Sequence, residues 1–289
     1  MSQVTGRRAK RIHYSQDISE AKSTHVHRFV GGQSVEHIDP VLLLDVFEMQ
    51  VGATAAGFEA HPHKGFDTLT LVLSGAVDHK DNQGNSGSAI SGDMQWMRAG
   101  NGVIHEEKLR DGDDGVGAKG VQLWLNLSSA EKGQPPQYAL IKSDRIVQTN
   151  KKDGVVVKEL GAALPVQSGL PERIEFLDVS FRPGSRIHRE IEASSLLGLV
   201  IEGTVCVPDN DGGTIIVGPN AMVEFEPTSE AVDIDSDTGG RLLLIGGTPI
   251  GEPIVRKGPF VMNSREELKQ AFANYSSGGF GPTIPSNGS

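Results

Sequence analysis

Four side chains in the first half of the chain have the types and spacing of a metal site. His61 and His63 are separated by one residue, and so are His105 and Glu107. Residues two apart on a strand point to the same face, so each pair can present both side chains to one point. Three imidazoles and one carboxylate suit a divalent transition metal and leave coordination positions for a substrate or oxygen. We predict these four as the ligands, with Glu106 pointing the opposite way.

The composition excludes several classes of protein. A chain of 289 residues predicts about two domains. Its net charge of -10 argues against direct binding of nucleic acid, which favours a basic face. No apolar run approaches the roughly 20 residues of a membrane span, and no signal-peptide core follows the start. The chain has a single cysteine, Cys206, which is consistent with a reducing compartment. We expect its small side chain to be buried rather than reactive. We therefore expect an intracellular protein, cytoplasmic or also nuclear, without membrane contact.

The elements that must position the four ligands are mostly strands. Short runs rich in Val, Ile, Leu or Phe alternate with turn residues, which is typical of an all-β sandwich or barrel. The predicted strands are residues 41–49, 68–77, 121–127, 155–160, 174–181, 196–207, 223–225 and 242–245. One short C-terminal helix is predicted after Ser264, which forms a capping box with Glu267. The Gly, Ser and Pro-rich residues 276–289 are expected to be disordered. The basic cluster at residues 7–11 is expected to be a disordered tail, with a nuclear or organelle address as the alternative.

The chain also contains a weak internal repeat. Residues 68–77 resemble residues 196–205, and residues 81–84 and 92–97 have counterparts 128 and 126 positions later. These ordered matches predict two jelly-roll-like β-barrels, an N-terminal one at residues 1–135 and a C-terminal one at residues 136–289, the latter ending in the helix and tail. In the second copy only His188 lies near the position of His61. We therefore expect the second barrel to be structural and free of metal.

Longer motifs resemble one family. The duplicated barrel with its histidine pattern is similar to the cupins, and the finer motifs resemble the pirin family over nearly the whole chain. The motifs are His61-Pro-His-Lys-Gly-Phe-Asp67, Gly92-Asp-Met-Gln-Trp-Met-Arg-Ala-Gly-Asn-Gly-Val-Ile-His-Glu-Glu107, Gln122-Leu-Trp-Leu-Asn-Leu127 and Gly251-Glu-Pro-Ile-Val-Arg-Lys-Gly-Pro-Phe-Val-Met-Asn263.

This resemblance implies tandem cupin barrels with one divalent metal in the first. It implies Fe(II) held by His61, His63, His105 and Glu107, although the ligand types also admit Mn, Co, Ni, Cu or Zn. The implied activity is dioxygenase cleavage of a quercetin-type flavonol by oxygen. Glu107 would serve as a ligand, or detach briefly and accept the hydroxyl proton as a general base. The alternative is a metal-dependent, redox-dependent regulator that binds a protein partner as a transcription cofactor.

Several neighbours of the predicted ligands have secondary roles. Asp67 is expected to accept hydrogen bonds rather than bind the metal, and Gln122 is a candidate to orient a ligand or the substrate. Lys64 and Asn101 replace residues that are often Arg in the family, at the pocket rim or at a partner surface. His79 is expected to be solvated and without a role. Three further side chains line either an apolar pocket or the plain barrel core: Trp96, Met97 and Trp124.

Overall fold

The fold was analysed in a computed structural model that describes residues 6–21, 23–53, 56–151, 153–170 and 172–284. The predicted all-β class is confirmed, and the described residues contain one α-helix. The strands are β1 (Ala9–Tyr14), β2 (Gln16–Ala21), β3 (Thr24–Val30), β4 (Val41–Met49), β5 (Gly57–His63), β6 (Phe66–Ser74), β7 (Ala76–Asp81), β8 (Ser86–Ile90), β9 (Met94–Arg98), β10 (Val103–Arg110), β11 (Lys119–Asn126), β12 (Gln137–Ile141), β13 (Gln148–Asn150), β14 (Val155–Glu159), β15 (Ile174–Phe181), β16 (Ser185–Glu190), β17 (Ser195–Gly203), β18 (Val205–Pro208), β19 (Thr214–Val217), β20 (Ala221–Phe225), β21 (Ala231–Ser236), β22 (Gly240–Gly247), β23 (Val255–Lys257) and β24 (Phe260–Met262). Helix α1 spans Arg265–Ser276, and 3-10 helices span Ser143–Arg145, Gly161–Ala163 and Val166–Ser168.

The first barrel consists of a seven-stranded and a four-stranded antiparallel sheet. The larger sheet has the order β12-β9-β6-β11-β4-β3-β2, and the smaller has the order β5-β10-β7-β8. Buried side chains of both sheets, such as Phe47 from β4 and Leu109 from β10, pack in one apolar cluster. This packing of two inner faces buries His63 at the end of β5 and the inward-facing residues of β10, whereas the rest of β5 is half-buried or exposed.

The second barrel has the same plan, as the internal repeat predicted. Its larger sheet has the order β1-β20-β17-β22-β15-β14-β13, and its smaller sheet has the order β16-β21-β18-β19. The matched turn glycines also share a conformation, with φ of 67° at Gly75 and 63° at Gly203. These positive angles favour glycine, and they break the predicted strands 68–77 and 196–207 where the chain passes to the other sheet.

The basic N-terminal segment is a strand of the second barrel, so the expected disordered tail is wrong. Strand β1 pairs antiparallel with β20, with Ile12 opposite Val223. The side chain of Arg7 is buried, and its Nε donates to the carbonyl of Ser229 at 2.6 Å. The segment was misread because its alternating pattern contains few apolar residues.

The C-terminal helix is confirmed, and its predicted cap is present. The side chain of Ser264 accepts a hydrogen bond from the backbone N–H of Glu267 at 3.2 Å, which satisfies a free donor of the first turn. The expectation of disorder after Ser276 is wrong as far as residue 284, and residues 285–289 lie outside the described part. Phe280 is buried against Phe260, and its carbonyl accepts from Asn82 Nδ2 at 2.7 Å.

The contacts between residues divide the chain into two compact units, whose boundaries differ from the expected one after residue 135. Among the described residues, the first unit contains 17–143 together with 250–284, and the second contains 144–249 together with 6–16. The helix expected with the second barrel therefore belongs to the first, because Phe260 and Leu268 pack in one cluster with Ile104 of β10.

Within the described ranges, no helix combines the length and apolarity needed to cross a bilayer. Cys206 is buried, as predicted.

Candidate metal centre

The strands that carry the predicted ligands are neighbours in the smaller sheet of the first barrel. Strands β5 and β10 pair antiparallel, and His105 lies directly opposite His61. The register shifts between His105 and Glu107, so Glu107 pairs with Phe58. This irregularity is a β-bulge or a similar local change, and such features re-aim side chains near functional sites.

Three imidazoles converge on one point. The Nε2 atom of His61 lies 3.0 Å from Nε2 of His63 and 3.0 Å from Nε2 of His105. His63 and His105 are almost fully buried. Their burial, and next the neighbouring His61, hold the pKa of each well below its ordinary value. Both are thus neutral at pH 7, the form in which an imidazole donates a lone pair to a metal. The donor set fits a divalent transition metal.

The carboxylate of Glu107 lies beside this group rather than within it. Glu107 is buried, and its oxygens form a second cluster with ring nitrogens of His79 and His105, in which all candidate ligand atoms lie within 4.8 Å of one another. Gln122 Nε2 donates to Glu107 Oε2 at 3.0 Å, so Gln122 orients the carboxylate as predicted. Glu106 instead lies 3.7 Å from Lys108 Nζ near the surface, which confirms that it points the other way.

His79 is buried, so the prediction that it is solvated is wrong. Its ring stacks on Tyr138 with centroids 4.3 Å apart, and its Nδ1 lies 3.5 Å from Nδ1 of His105. Behind it, Asp81 Oδ2 lies 3.5 Å from Nε2 of His79. Since Nε2 of His105 faces His61, His79 supports the opposite side of the ring, as residues behind metal-binding histidines usually do. The signal in the sequence was the i, i+2 spacing of His79 and Asp81 on β7.

A cavity of about 450 Å³ opens beside His61 and His63. Trp124 is part of the cavity wall, in agreement with the first of its two predicted roles, pocket lining or barrel core. Trp96 and Met97 do not line it: Trp96 donates to Asp67, and Met97 packs in an apolar cluster with Val103, so both belong to the core. The full wall consists of Arg28, Leu43, Asp45, Gly57, Phe58, Glu59, His61, His63, Gln122, Trp124, Arg256, Gly258 and Pro259.

The remaining neighbours serve the fold. Asp67 is fully buried and accepts hydrogen bonds from Arg98 Nε at 3.0 Å and from Trp96 Nε1 at 3.1 Å, in agreement with its expected role as an acceptor. Lys64 Nζ donates to the carbonyl of Asn101 and lies 5.6 Å from the centre of the Phe280 ring. Lys64 thus contacts the C-terminal segment, and neither position belongs to the cavity wall.

In the second barrel, His188 is a half-exposed surface residue. Its Nδ1 lies 2.9 Å from Asp233 Oδ1, the residue opposite it on β21. Among the residues that the structure describes, both groups of side chains that could hold a metal ion lie in the first barrel.

Comparisons with known proteins agree with this architecture. A family model described as Pirin matches residues 22–125, and one described as Pirin C-terminal cupin domain matches residues 176–281. The chain is 34% identical to Pirin-like protein 2 of Arabidopsis thaliana, covering 89% of this chain and 80% of that protein. It is 35% identical to human Pirin, covering 90% and 89%. The crystal structure of a quercetin 2,3-dioxygenase from Acinetobacter baumannii superposes with a TM-score of 0.84 at 26% identity, covering 96% of this chain and all of that one.

Proposed function

Because the chain belongs to the pirin family, we propose that it is a mononuclear iron dioxygenase that opens quercetin-type flavonols. The observation that carries this proposal is the convergence of three imidazole Nε2 atoms at the wall of a cavity large enough for a small ligand. The similarity to a structure described as a quercetin 2,3-dioxygenase supports the choice of substrate class.

The proposed metal ligands are His61, His63, His105 and Glu107. When bound, the metal would supply Lewis acidity toward the flavonol hydroxyl and a site for oxygen. Burial keeps the imidazoles of His63 and His105 neutral by lowering their pKa. The pairing of β5 with β10 brings the three histidines to one point. Phe58 in the cavity wall offers an aromatic ring against which a flat substrate can pack and exclude water.

The proposed role of Glu107 is to accept the hydroxyl proton of the flavonol. Its Oε2 is held by Gln122 at 3.0 Å, whereas Oε1 meets only a long contact of 3.5 Å with Thr70 Oγ1 among the hydrogen bonds of the described residues. Oε1 is therefore the atom better placed to take a proton, and Gln122 keeps the carboxylate oriented while it does so.

The overall reaction balances without a second cofactor. Both atoms of dioxygen enter the organic product, one ring carbon leaves as carbon monoxide, and the heterocycle opens to an ester. Oxygen is reduced by the electrons that the flavonol carbons lose, so the substrate supplies the reducing power. The proton held by Glu107 returns to the product carboxylate or to water.

The test compares iron-loaded protein with a metal-free control. Loss of flavonol absorbance, oxygen uptake and carbon monoxide release should rise together in the loaded protein. Glu107→Gln removes the proton acceptor and should lower turnover about 100-fold or more, the usual size of a general-base effect. Glu106→Gln is the matched control, because the neighbouring carboxylate faces Lys108 at the surface. It should leave turnover unchanged.

Two outcomes would contradict the proposal. Equal effects of the Glu106 and Glu107 substitutions would refute the assignment of the proton acceptor. No rate above the metal-free control across a panel of flavonoids would refute the dioxygenase itself, and the metal-dependent regulator would then take its place.

A further inference from the structure

The C-terminal segment, residues 259–284, covers the outer face of a strand that carries a proposed metal ligand. Ile104 precedes His105 on β10, and neighbouring residues of a strand point to opposite faces. The Ile104 side chain therefore points away from the imidazoles. It is buried and packs with Phe260 and Phe280 of the C-terminal segment in one apolar cluster. The segment thus contacts, from the outside, the strand that aims His105.

Asn82 connects this segment to the backbone of Ile104. It lies in the turn between β7 and β8, and its backbone N–H donates to the carbonyl of Ile104 at 2.9 Å. Its side-chain Oδ1 accepts a hydrogen bond from the backbone N–H of Ile104 at 3.1 Å. Its Nδ2 donates to the carbonyl of Phe280 at 2.7 Å. One carboxamide therefore bonds both to the C-terminal segment and to the residue that precedes His105.

These hydrogen bonds hold the part of β10 that directs the His105 imidazole. The residue opposite Ile104 on β5 is Pro62, which has no N–H to donate. Both backbone polar groups of Ile104 bond to Asn82 instead. The Nε2 atom of His105 lies 3.0 Å from that of His61, and a binding constellation works only when its atoms are held within about 0.5 Å. A shift of the peptide between Ile104 and His105 would therefore weaken the metal site.

Phe280 occupies a closely fitted position beside Asn82. It is buried, and a Cβ atom added at Gly102 would lie 2.6 Å from its ring. Lys64 Nζ lies 5.6 Å from the centre of the same ring. The next residue, Gly281, donates its backbone N–H to the carbonyl of Gly278 at 3.0 Å. The Phe280 carbonyl is thus held at a defined place, where it can fix the orientation of the Asn82 carboxamide.

The second barrel contains a matching asparagine without a metal ligand beside it. Asn210 occupies the position of Asn82 in the internal repeat, 128 residues later. Its Nδ2 donates to the carbonyl of Ala9 in β1 at 3.2 Å, so it also holds a terminal segment. Among the described residues, both candidate metal clusters lie in the first barrel. The two asparagines therefore share a role in the fold, and the role at the metal site can be tested on Asn82 with Asn210 as the reference.

We propose that Asn82 is a positioning residue for the metal centre. Through Ile104 it holds His105 in the direction that binds metal, and through Phe280 it couples docking of the C-terminal segment to metal binding. This inference rests on the proposed function only for the assignment of His105 as a ligand. The coupling is reciprocal: if the docked segment raises metal affinity, bound metal must favour the docked segment by the same factor.

The first test measures the zinc dissociation constant of the full-length protein in competition with a chelator. Asn82→Ala should weaken zinc binding at least about tenfold, as loss of a residue that orients a ligand usually does. Asn82→Asp keeps the oxygen that accepts from Ile104 but lacks the donor to Phe280, so its affinity should lie between those of wild type and Asn82→Ala. Asn210→Ala is the matched control. It removes the equivalent hydrogen bond in the second barrel and should leave zinc affinity unchanged.

The second test measures hydrogen exchange with and without zinc in peptides that cover residues 277–284. The backbone N–H groups of Gly279 and Gly281 are hydrogen-bonded, so their exchange reports release of the segment. Zinc should slow this exchange about tenfold in wild type, and the slowing should be lost in Asn82→Ala, because the link between the segment and β10 is then absent.

Several results would overturn the inference. Equal zinc affinities of wild type and Asn82→Ala would refute the positioning role, and so would equal losses from Asn82→Ala and Asn210→Ala, which would indicate general destabilisation. Asn82→Asp binding zinc as weakly as Asn82→Ala would show that the hydrogen bond to Ile104 is not what positions the ligand. Exchange in wild type that does not respond to zinc would refute the coupling. Quercetin turnover is scored separately, so its absence would refute the proposed activity without changing these binding results.

Discussion

Lys132 is a buried cation that connects the C-terminal segment to the first barrel by hydrogen bonds. Its removal should destabilise the protein. Its Nζ donates to the carbonyl of Gly65 at 2.6 Å, to Asn126 Oδ1 at 2.7 Å and to the carbonyl of Val261 at 3.2 Å. Lys132→Met would leave these three acceptors without their donor, at about 1–3 kcal/mol each when buried. Removing the buried charge offsets part of this loss. We expect unfolding free energy to fall by about 2–4 kcal/mol at pH 7.

The same residue predicts a pH dependence. Burial lowers the pKa of Lys132 from 10.5 to about 8 in the folded protein. Between these values the unfolded chain binds more protons than the folded one, so the contribution of this group to stability rises with pH. It is complete above 10.5 and is lost as the pH falls to about 8. The stability of wild type relative to Lys132→Met should therefore increase across this window.

Urea unfolding at several pH values measures both effects. The control is Lys269→Met, which removes an exposed helix lysine paired with Glu266 at 3.2 Å, and which should change stability by less than about 0.5 kcal/mol. If Lys132→Met costs no more than this control, the three hydrogen bonds do not stabilise the fold. A stability difference between wild type and Lys132→Met that is flat from pH 8 to 10.5 would refute the lowered pKa.

Two further predictions concern the metal centre. His79→Phe keeps the stacking on Tyr138 but removes the nitrogen that faces His105. Metal affinity, measured in competition with a chelator, should therefore fall about tenfold or more. His188→Phe in the second barrel is the control and should have no effect. An unchanged affinity of the His79 variant would show that this ring only fills space. His105→Ala should remove most bound metal by elemental analysis and Glu106→Ala should not, and similar losses in the two variants would refute the strand-facing argument.

The local sequence pattern was sufficient to predict those features of the fold that depend on residues close together in the chain. Alternation along a strand predicted that His105 and Glu107 face inward and that Glu106 does not, because strand geometry sets side-chain direction over two residues. The repeat predicted two barrels, since equivalent turns require glycine at equivalent positions. The capping box predicted the start of α1 at Ser264, because a helix terminus is satisfied by side chains within one turn.

Only the tertiary structure decided which distant segments meet. His79 looked like a polar hairpin residue, and it is buried because β7 pairs with β10 and brings it opposite Glu107. The basic segment looked disordered, and it is ordered because β20 offers a free edge to β1. Arg256 lies far from the ligands in sequence and reaches their cavity because the chain returns to the first barrel. Pairing and packing across such separations depend on complementary surfaces of the whole fold, which periodicity within a short window does not encode.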